Sequence, residues 1–192
     1  NVRRRGGLVG YAKGGTYINC TNKVDVEIKG NIGIKGGKKQ SIFIGGLFGD
    51  LDEKDAEVIG CTNLGNLIYN AESSSSDNII YAGGIAGTVG QLKGGKIDAS
   101  LNKGTVTGTV QGQGNFYCGG ITGRLASNGQ INNSYSIGKL HVVNAGATQI
   151  TVAGGIAGYL KSGANYPTQC TYLKTTAGAG LYDETGVPVT NS

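Results

Sequence analysis

The chain has 192 residues, 37 of them glycine and two proline, with 38% hydrophobic residues and a net charge of +5. That length suits one domain or one repeat array. Glycine at about 19% without an every-third spacing excludes collagen, and frequent Val, Ile and Tyr exclude a disordered chain. No run approaches the roughly 18 apolar residues of a membrane span. The chain opens at Asn1, already inside a repeat, which reads as a mature form or a piece of a longer protein without its leader.

In chain order, the first segment is basic, with Arg3, Arg4 and Arg5, and a second basic cluster, "KGGKK", covers Lys35 to Lys39. A nucleic-acid surface needs basic residues spread along one face and interleaved with aromatics. Two local clusters read instead as solvated loops and termini, and no nucleic-acid partner is expected. At Gly6 begins "GGLVG". Its relatives "GGLFG", "GGIAG", "GGITG" and "GGIAG" begin at Gly45, Gly83, Gly119 and Gly154, at spacings of 39, 38, 36 and 35. A steady period of that length marks a solenoid. A phosphate-binding loop would carry Lys and Ser/Thr after its glycines and run into a helix. None of the five copies does, so the double glycine reads as geometry: without a Cβ, one wall bends sharply or lies close to another.

A second set of residues keeps step with the first. The turn signals "AKGG", "LKGG", "ASNGQ" and "KSGAN" precede "YINCTN", "IDASLN", "INNSYS" and "PTQCTY", and "VIGCTN" aligns with these. Cys20, Cys61, Ser100, Ser134 and Cys170 then form one column, with Asn22, Asn63, Asn102, Ser136 and Tyr172 two positions on. The Cys/Ser interchange favours a small, buried, unpaired side chain, against the alternative of a disulfide between neighbouring rungs such as Cys20 and Cys61. Cys118 stands apart, before Gly119, and the cysteine spacings exclude a CxxC metal site. The Asn column reads as an amide ladder at a bend, more simply than as a row of sugar contacts. Apolar runs such as "SIFIGGLFGDL" and "ITVAGGIAGYL" are rich in Ile, Phe and Val, while "VDVEI", "GTVTGTV" and "KLHVV" alternate with period two. Each repeat therefore predicts three short strands separated by turns. The fold expected is all-β: a β-solenoid, as a right-handed parallel β-helix, of about five repeats of ~36 residues over 1–174, with 175–192 a closing segment or linker; a β-sandwich-like stack is the structural alternative.

"GGLVGYAKGGTYINCTN" and its relatives resemble the GLUG motif, a repeat of large secreted and surface-exposed bacterial proteins. These include adhesin-like proteins and the non-catalytic regions of immunoglobulin A peptidases. The resemblance covers residues 6 to 174 and rests on the glycine, Cys/Ser and Asn columns recurring together. It implies a non-catalytic adhesion or spacer module, secreted or at the cell surface, joined to other domains of the same polypeptide. Its partner would be a glycan or a host surface protein, and no cofactor is implied. The zinc signature "HExxH" of those peptidases is absent, and the single histidine, His141, cannot supply it. A purely structural stalk and a polysaccharide lyase or hydrolase of β-helix type remain the alternatives. The enzyme would need paired acids on neighbouring rungs of one wall.

One acidic stretch stands out. "DLDEKDAE" holds Asp50, Asp52, Asp55 and Glu57, with Glu53 among them. Carboxylates at alternate positions can converge on calcium, which takes six to eight oxygens, so these four are the chain's cation candidate. The plainer reading is a solvated acidic turn. With "ESSSSDN" it is one of two loops expected to project from a stiff wall. The basic "VRRR" occupies the place where later repeats carry "SIFI" or "ITVA", a charge pattern that discourages edge-to-edge pairing. The cysteine column leads to a direct test. Ellman titration under denaturing, non-reducing conditions should return all four thiols of the chain, and a count of half or less would contradict the unpaired reading.

Overall fold

In the computed structural model the described residues are 2–32, 40–144, 150–174, 179–183 and 185–189; the basic cluster Lys35 to Lys39 lies outside them. Each winding is organised by its glycine pair. A first wall of parallel strands leads into it: Val2–Gly6, Ser41–Gly45, 79–83 of the long strand Leu67–Gly83, 115–119 of Val106–Gly119, and 151–154 of Thr151–Leu160. Gly6, Gly45, Gly83, Gly119 and Gly154 are register partners in succession. A second wall follows the bend, made of Val9–Ala12, Phe48–Leu51, Ala86–Val89, Thr122–Leu125 and 157–160.

After a turn comes a third wall, Gly15–Ile18, Ala56–Ile59, Gly95–Asp98 and Gly129–Asn132. Two-residue strands, Thr21–Asn22, Thr62–Asn63, Leu101–Asn102, Tyr135–Ser136 and Thr171–Tyr172, then form a corner. A fourth wall, formed by Val26–Ile32, Leu140–Asn144 and the first halves of the two long strands, returns the chain to the first. The molecule is a parallel β-solenoid of about four windings, with no helix among the described residues.

Four walls and a corner replace the three short strands per repeat read from the sequence. The glycine pair is the reason: "SIFIGGLFGDL" reads as one apolar run, yet the chain doubles back inside it. Apolar side chains therefore fill two separate columns. Leu47, Phe48, Leu51, Val58 and their counterparts in later windings fill the space between second and third walls. Ile42, Ile44, Leu67, Tyr69 and theirs fill the space between fourth and first. The other face of the first wall carries a third cluster, Phe43, Tyr81 and Tyr117, against Tyr159 of the second wall. Tyr81 and Tyr117 stack with ring centroids 5.4 Å apart, and Tyr117 meets Tyr159 edge-on at 5.2 Å. Each such buried side chain contributes on the order of 2 kcal/mol.

The turn from third wall to corner has a backbone signature that the letters conceal. Asn19, Gly60, Ala99, Asn133 and Gln169, one before each residue of the Cys/Ser column, all have positive φ (53°, 63°, 49°, 47° and 52°). The residue after each belongs to the Cys/Ser column, so the left-handed residue swings that column into place. Left-handed backbone costs a non-glycine residue roughly 1–2 kcal/mol, partly offset by the entropy a glycine would lose. Ala99 is exposed and has no packing to lose. Ala99→Gly is therefore expected to stabilise the fold by roughly 0.5–1 kcal/mol, raising the melting temperature by about 2 °C. Gly60→Ala should lower it, because the added Cβ would meet Asn19 Oδ1 at 2.5 Å. Calorimetry on the two variants checks both signs.

Candidate functional site

In the middle three glycine pairs the second amide is committed to the next winding and not to a phosphate. Gly46 N donates to Gly83 O (3.1 Å), Gly84 N to Gly119 O (3.2 Å) and Gly120 N to Gly154 O (3.0 Å). The next two amides, Leu47 and Phe48, share Ile85 O at 3.0 and 2.9 Å. A Cβ on Gly45 would stand 1.9 Å from Phe48 O, so the tightness of the bend itself demands glycine. The last glycine of the pentapeptide acts differently. A Cβ on Gly87 would lie 2.3 Å from Ile44 N, which marks how closely the second wall lies against the first.

The asparagines are equally committed. Asn22 Nδ2 donates to Asn63 Oδ1 and Asn63 Nδ2 to Asn102 Oδ1, each at 3.0 Å, and Asn102 Nδ2 reaches Ser136 Oγ at 3.4 Å. The same amides donate to Val24 O, Gly65 O and Gly104 O (2.7, 2.8 and 3.0 Å), closing the corner. Asn22 also reaches Gly46 O at 3.0 Å, tying corner to glycine bend. All four side chains are buried. This is the amide ladder read from the sequence, and it has no face to offer a sugar.

The Cys/Ser column carries a ladder of its own. Cys20 N donates to Cys61 Sγ (3.3 Å), Cys61 N to Ser100 Oγ (3.2 Å) and Ser100 N to Ser134 Oγ (3.2 Å). Each Sγ–H or Oγ–H turns back to the carbonyl two residues earlier, at 2.7 Å for Ser134 and 3.5 Å for Cys61. Thiol and hydroxyl interchange because either can donate and accept there. All four cysteines are free. Burial pushes the Cys118 thiol up to about 12 and raises those of Cys61 and Cys170, the opposite of what activates a thiol as a nucleophile.

The acidic stretch divides. Asp50 is fully buried on the second wall, its Oδ2 accepting from Arg4 Nε at 2.6 Å. Asp52 is buried too, and its Oδ1 accepts from Leu92 N and Lys93 N of the following winding. Asp55 is exposed, and Glu57 sits half-exposed on the third wall in register with Thr16 and Lys96. Two of the four are thus internal braces, which corrects the solvated-turn reading. Among the described residues no three His, Cys, Asp or Glu stand together as a cation would require. Nor does any paired strand register set two carboxylates opposite each other on successive windings.

Asp50 faces the seam between first and second walls, which the sequence did not reveal. Its register partners are Tyr11 and Thr88, and Arg124 follows Thr88. Arg4 also lies over the Tyr11 ring at 4.2 Å, and Arg124 over Tyr81 and Tyr159 at 5.5 and 5.7 Å. The seam's aromatic row is buried at Phe43, Tyr81 and Tyr117. Among the described residues the only exposed aromatic side chains are Tyr135 and Tyr166. A cavity of about 440 Å³ adjoins Tyr166 at the C-terminal end, lined also by Leu160, Lys161, Asp183, Thr185 and Val189. Nothing in the repeat pattern pointed to it, because it forms where the pattern stops.

No family model, curated protein or solved structure matches the chain. Among the described residues no helix is long and apolar enough to cross a membrane.

Burial drives the Asp50 carboxyl up to about 6, against the opposing pull of Arg4 and, more weakly, Arg124; Asp52 adds to the rise. The unfolded carboxyl titrates near 3.9. Between those values the folded chain holds the extra proton, so stability falls as pH rises from ~4 through ~6. Asp50→Asn removes that contribution. Urea denaturation of both proteins across this window should show the wild type losing on the order of 2 kcal/mol relative to the variant; parallel curves would refute it.

Proposed function

We propose that this chain is a non-catalytic adhesion or spacer module of a larger secreted or cell-surface protein, contacting a glycan or host protein through its turns and ends. One observation carries the reading. The residues that recur from winding to winding, the glycine pair, the Cys/Ser column and the Asn column, direct their polar groups to one another inside the solenoid. Repetition here builds a stiff scaffold. What differs between windings lies at the turns, such as 52–55, 90–94 and 161–164, where a scaffold displays contacts. The likeness of "GGLVGYAKGGTYINCTN" to the GLUG motif supports the same placement at a bacterial surface.

The stalk reading gains from the burial of Phe43, Tyr81 and Tyr117, which removes the one aromatic row that could have served as a platform along a wall. An array of glycans and host surface proteins, probed with the intact chain at high concentration, separates the readings. Binding without release of new reducing ends or unsaturated products is the expected outcome. Silence across the array favours the stalk, and product formation overturns the non-catalytic assignment.

A further inference from the structure

We propose that the groove at the C-terminal end of the solenoid binds an uncharged pyranose saccharide, an inference that rests on the adhesion reading above. The groove is built by two segments. One is the turn after the last second-wall strand, closed by Ala164 N to Lys161 O at 2.9 Å. The other comprises residues 181–183 and 185–189, which fold over the end of the stack. Leu160 N donates to Tyr182 O (2.7 Å), Val189 N to Leu181 O (3.0 Å) and Asp183 N to Val187 O (3.0 Å). Leu160, Leu181 and Val189 join the core there, so the end segment is packed in place.

The lining has two characters. Leu160, Ala164 and Val189 supply an apolar floor, while Lys161, Ser162, Asp183 and Thr185 supply charged and hydroxyl groups. Tyr166 lines the same cavity with 42% of its surface exposed. A pyranose is two-faced in the same way: an apolar patch of C–H bonds on one side, hydroxyls around the edge. Its C–H hydrogens carry slight positive charge and stack on the negative face of an aromatic ring. Asp183 is held in one orientation, its Oδ1 accepting from Thr185 N and Oγ1 (2.8 Å each) and from Val187 N (2.9 Å). A pre-oriented carboxylate loses little freedom on meeting a ligand hydroxyl.

Charge selects the class of ligand. One cation, Lys161, and one anion, Asp183, line the groove, so a phosphate or acidic sugar meets no net attraction, and a metal ion meets a single carboxylate. The volume of about 440 Å³ is at the small end for ligand sites, with room for about one or two sugar rings. The groove at Lys54, Lys93 and Lys96 is a poorer candidate. It measures about 230 Å³ and has no aromatic lining, and two of its lysines are paired with Glu53 and Asp98.

The test is amide correlation NMR of the whole chain, titrated with the methyl glycosides of glucose, galactose, mannose and N-acetylglucosamine and with their disaccharides. At least one probe should shift amides in 160–166 and 181–189 only, with a dissociation constant of about a millimolar. Tyr166→Ala should weaken it at least about tenfold, Tyr166→Phe should leave it nearly unchanged because the ring face is kept, and Tyr135→Ala should have no effect. Thermal unfolding of each variant shows whether the fold is retained; the Phe variant preserves the ring's packing if the Ala variant melts. No shift with any probe, shifts mapping elsewhere, or affinity indifferent to Tyr166→Ala each overturn the proposal. So does tighter binding of glucuronate, inorganic phosphate or an unstructured peptide in the same groove. A sugar bound elsewhere on the chain sinks this groove and leaves the adhesion reading standing.

Discussion

Successive windings are hydrogen-bonded to one another in register, about 4.8 Å apart along the axis, and almost every other feature follows from that spacing. A side chain that points inward must fit against its own counterpart above and below. Few chemistries tolerate this from winding to winding. Apolar residues do, as in the column Ile42, Ile80 and Phe116. Amides do because each both donates and accepts, which is how Asn22, Asn63 and Asn102 satisfy one another. Like charges do not. Asp50 stacks between Tyr11 and Thr88, and its counter-ion Arg4 comes across the seam from the first wall.

The second constraint is the pinch between glycine bend and asparagine corner. The chain must reverse between first and second walls while the opposite corner presses against the reversal. A Cβ on Gly46 would lie 2.3 Å from Gly84 O and 2.4 Å from Asn63 Nδ2, so no other residue fits between. The pinch divides the interior into two apolar columns and leaves the outer faces of first and second walls to close on each other around Phe43, Tyr81 and Tyr117. Losing one partner of a buried amide there costs roughly 1–3 kcal/mol. Because each winding supports only its neighbours, stability is shared along the axis as in other repeat arrays.

A scaffold of this kind separates structure from recognition. Walls are committed to stacking and the seam to its aromatic and Arg–Asp contacts, which leaves turns and ends free to vary. In the first winding Arg3 and Arg5 take the register positions of Ile42 and Ile44, putting charge where the interior columns are apolar. At the C-terminal side residues 181–183 and 185–189 fold over the stack and create the Tyr166 groove.

The sequence by itself determined the period, the parallel all-β stack and the roles of the glycine and asparagine columns, because in-register stacking writes each structural requirement once per winding. Cys61 and Ser100 could be aligned by eye for the same reason. Tertiary structure alone decided whatever is not repeated or depends on how the walls fold together. That the walls number four follows from a reversal hidden inside an apolar run. The left-handed column of Asn19, Gly60, Ala99, Asn133 and Gln169 has no common letter, since the backbone angle is imposed by the neighbouring windings. Asp50 and Asp52 looked like members of one solvated turn because they are close in the chain. They became braces because the strand continues through Leu51 and buries what precedes and follows it. The end groove was illegible because it joins residues near 160 with others near 185, a meeting that only packing brings about.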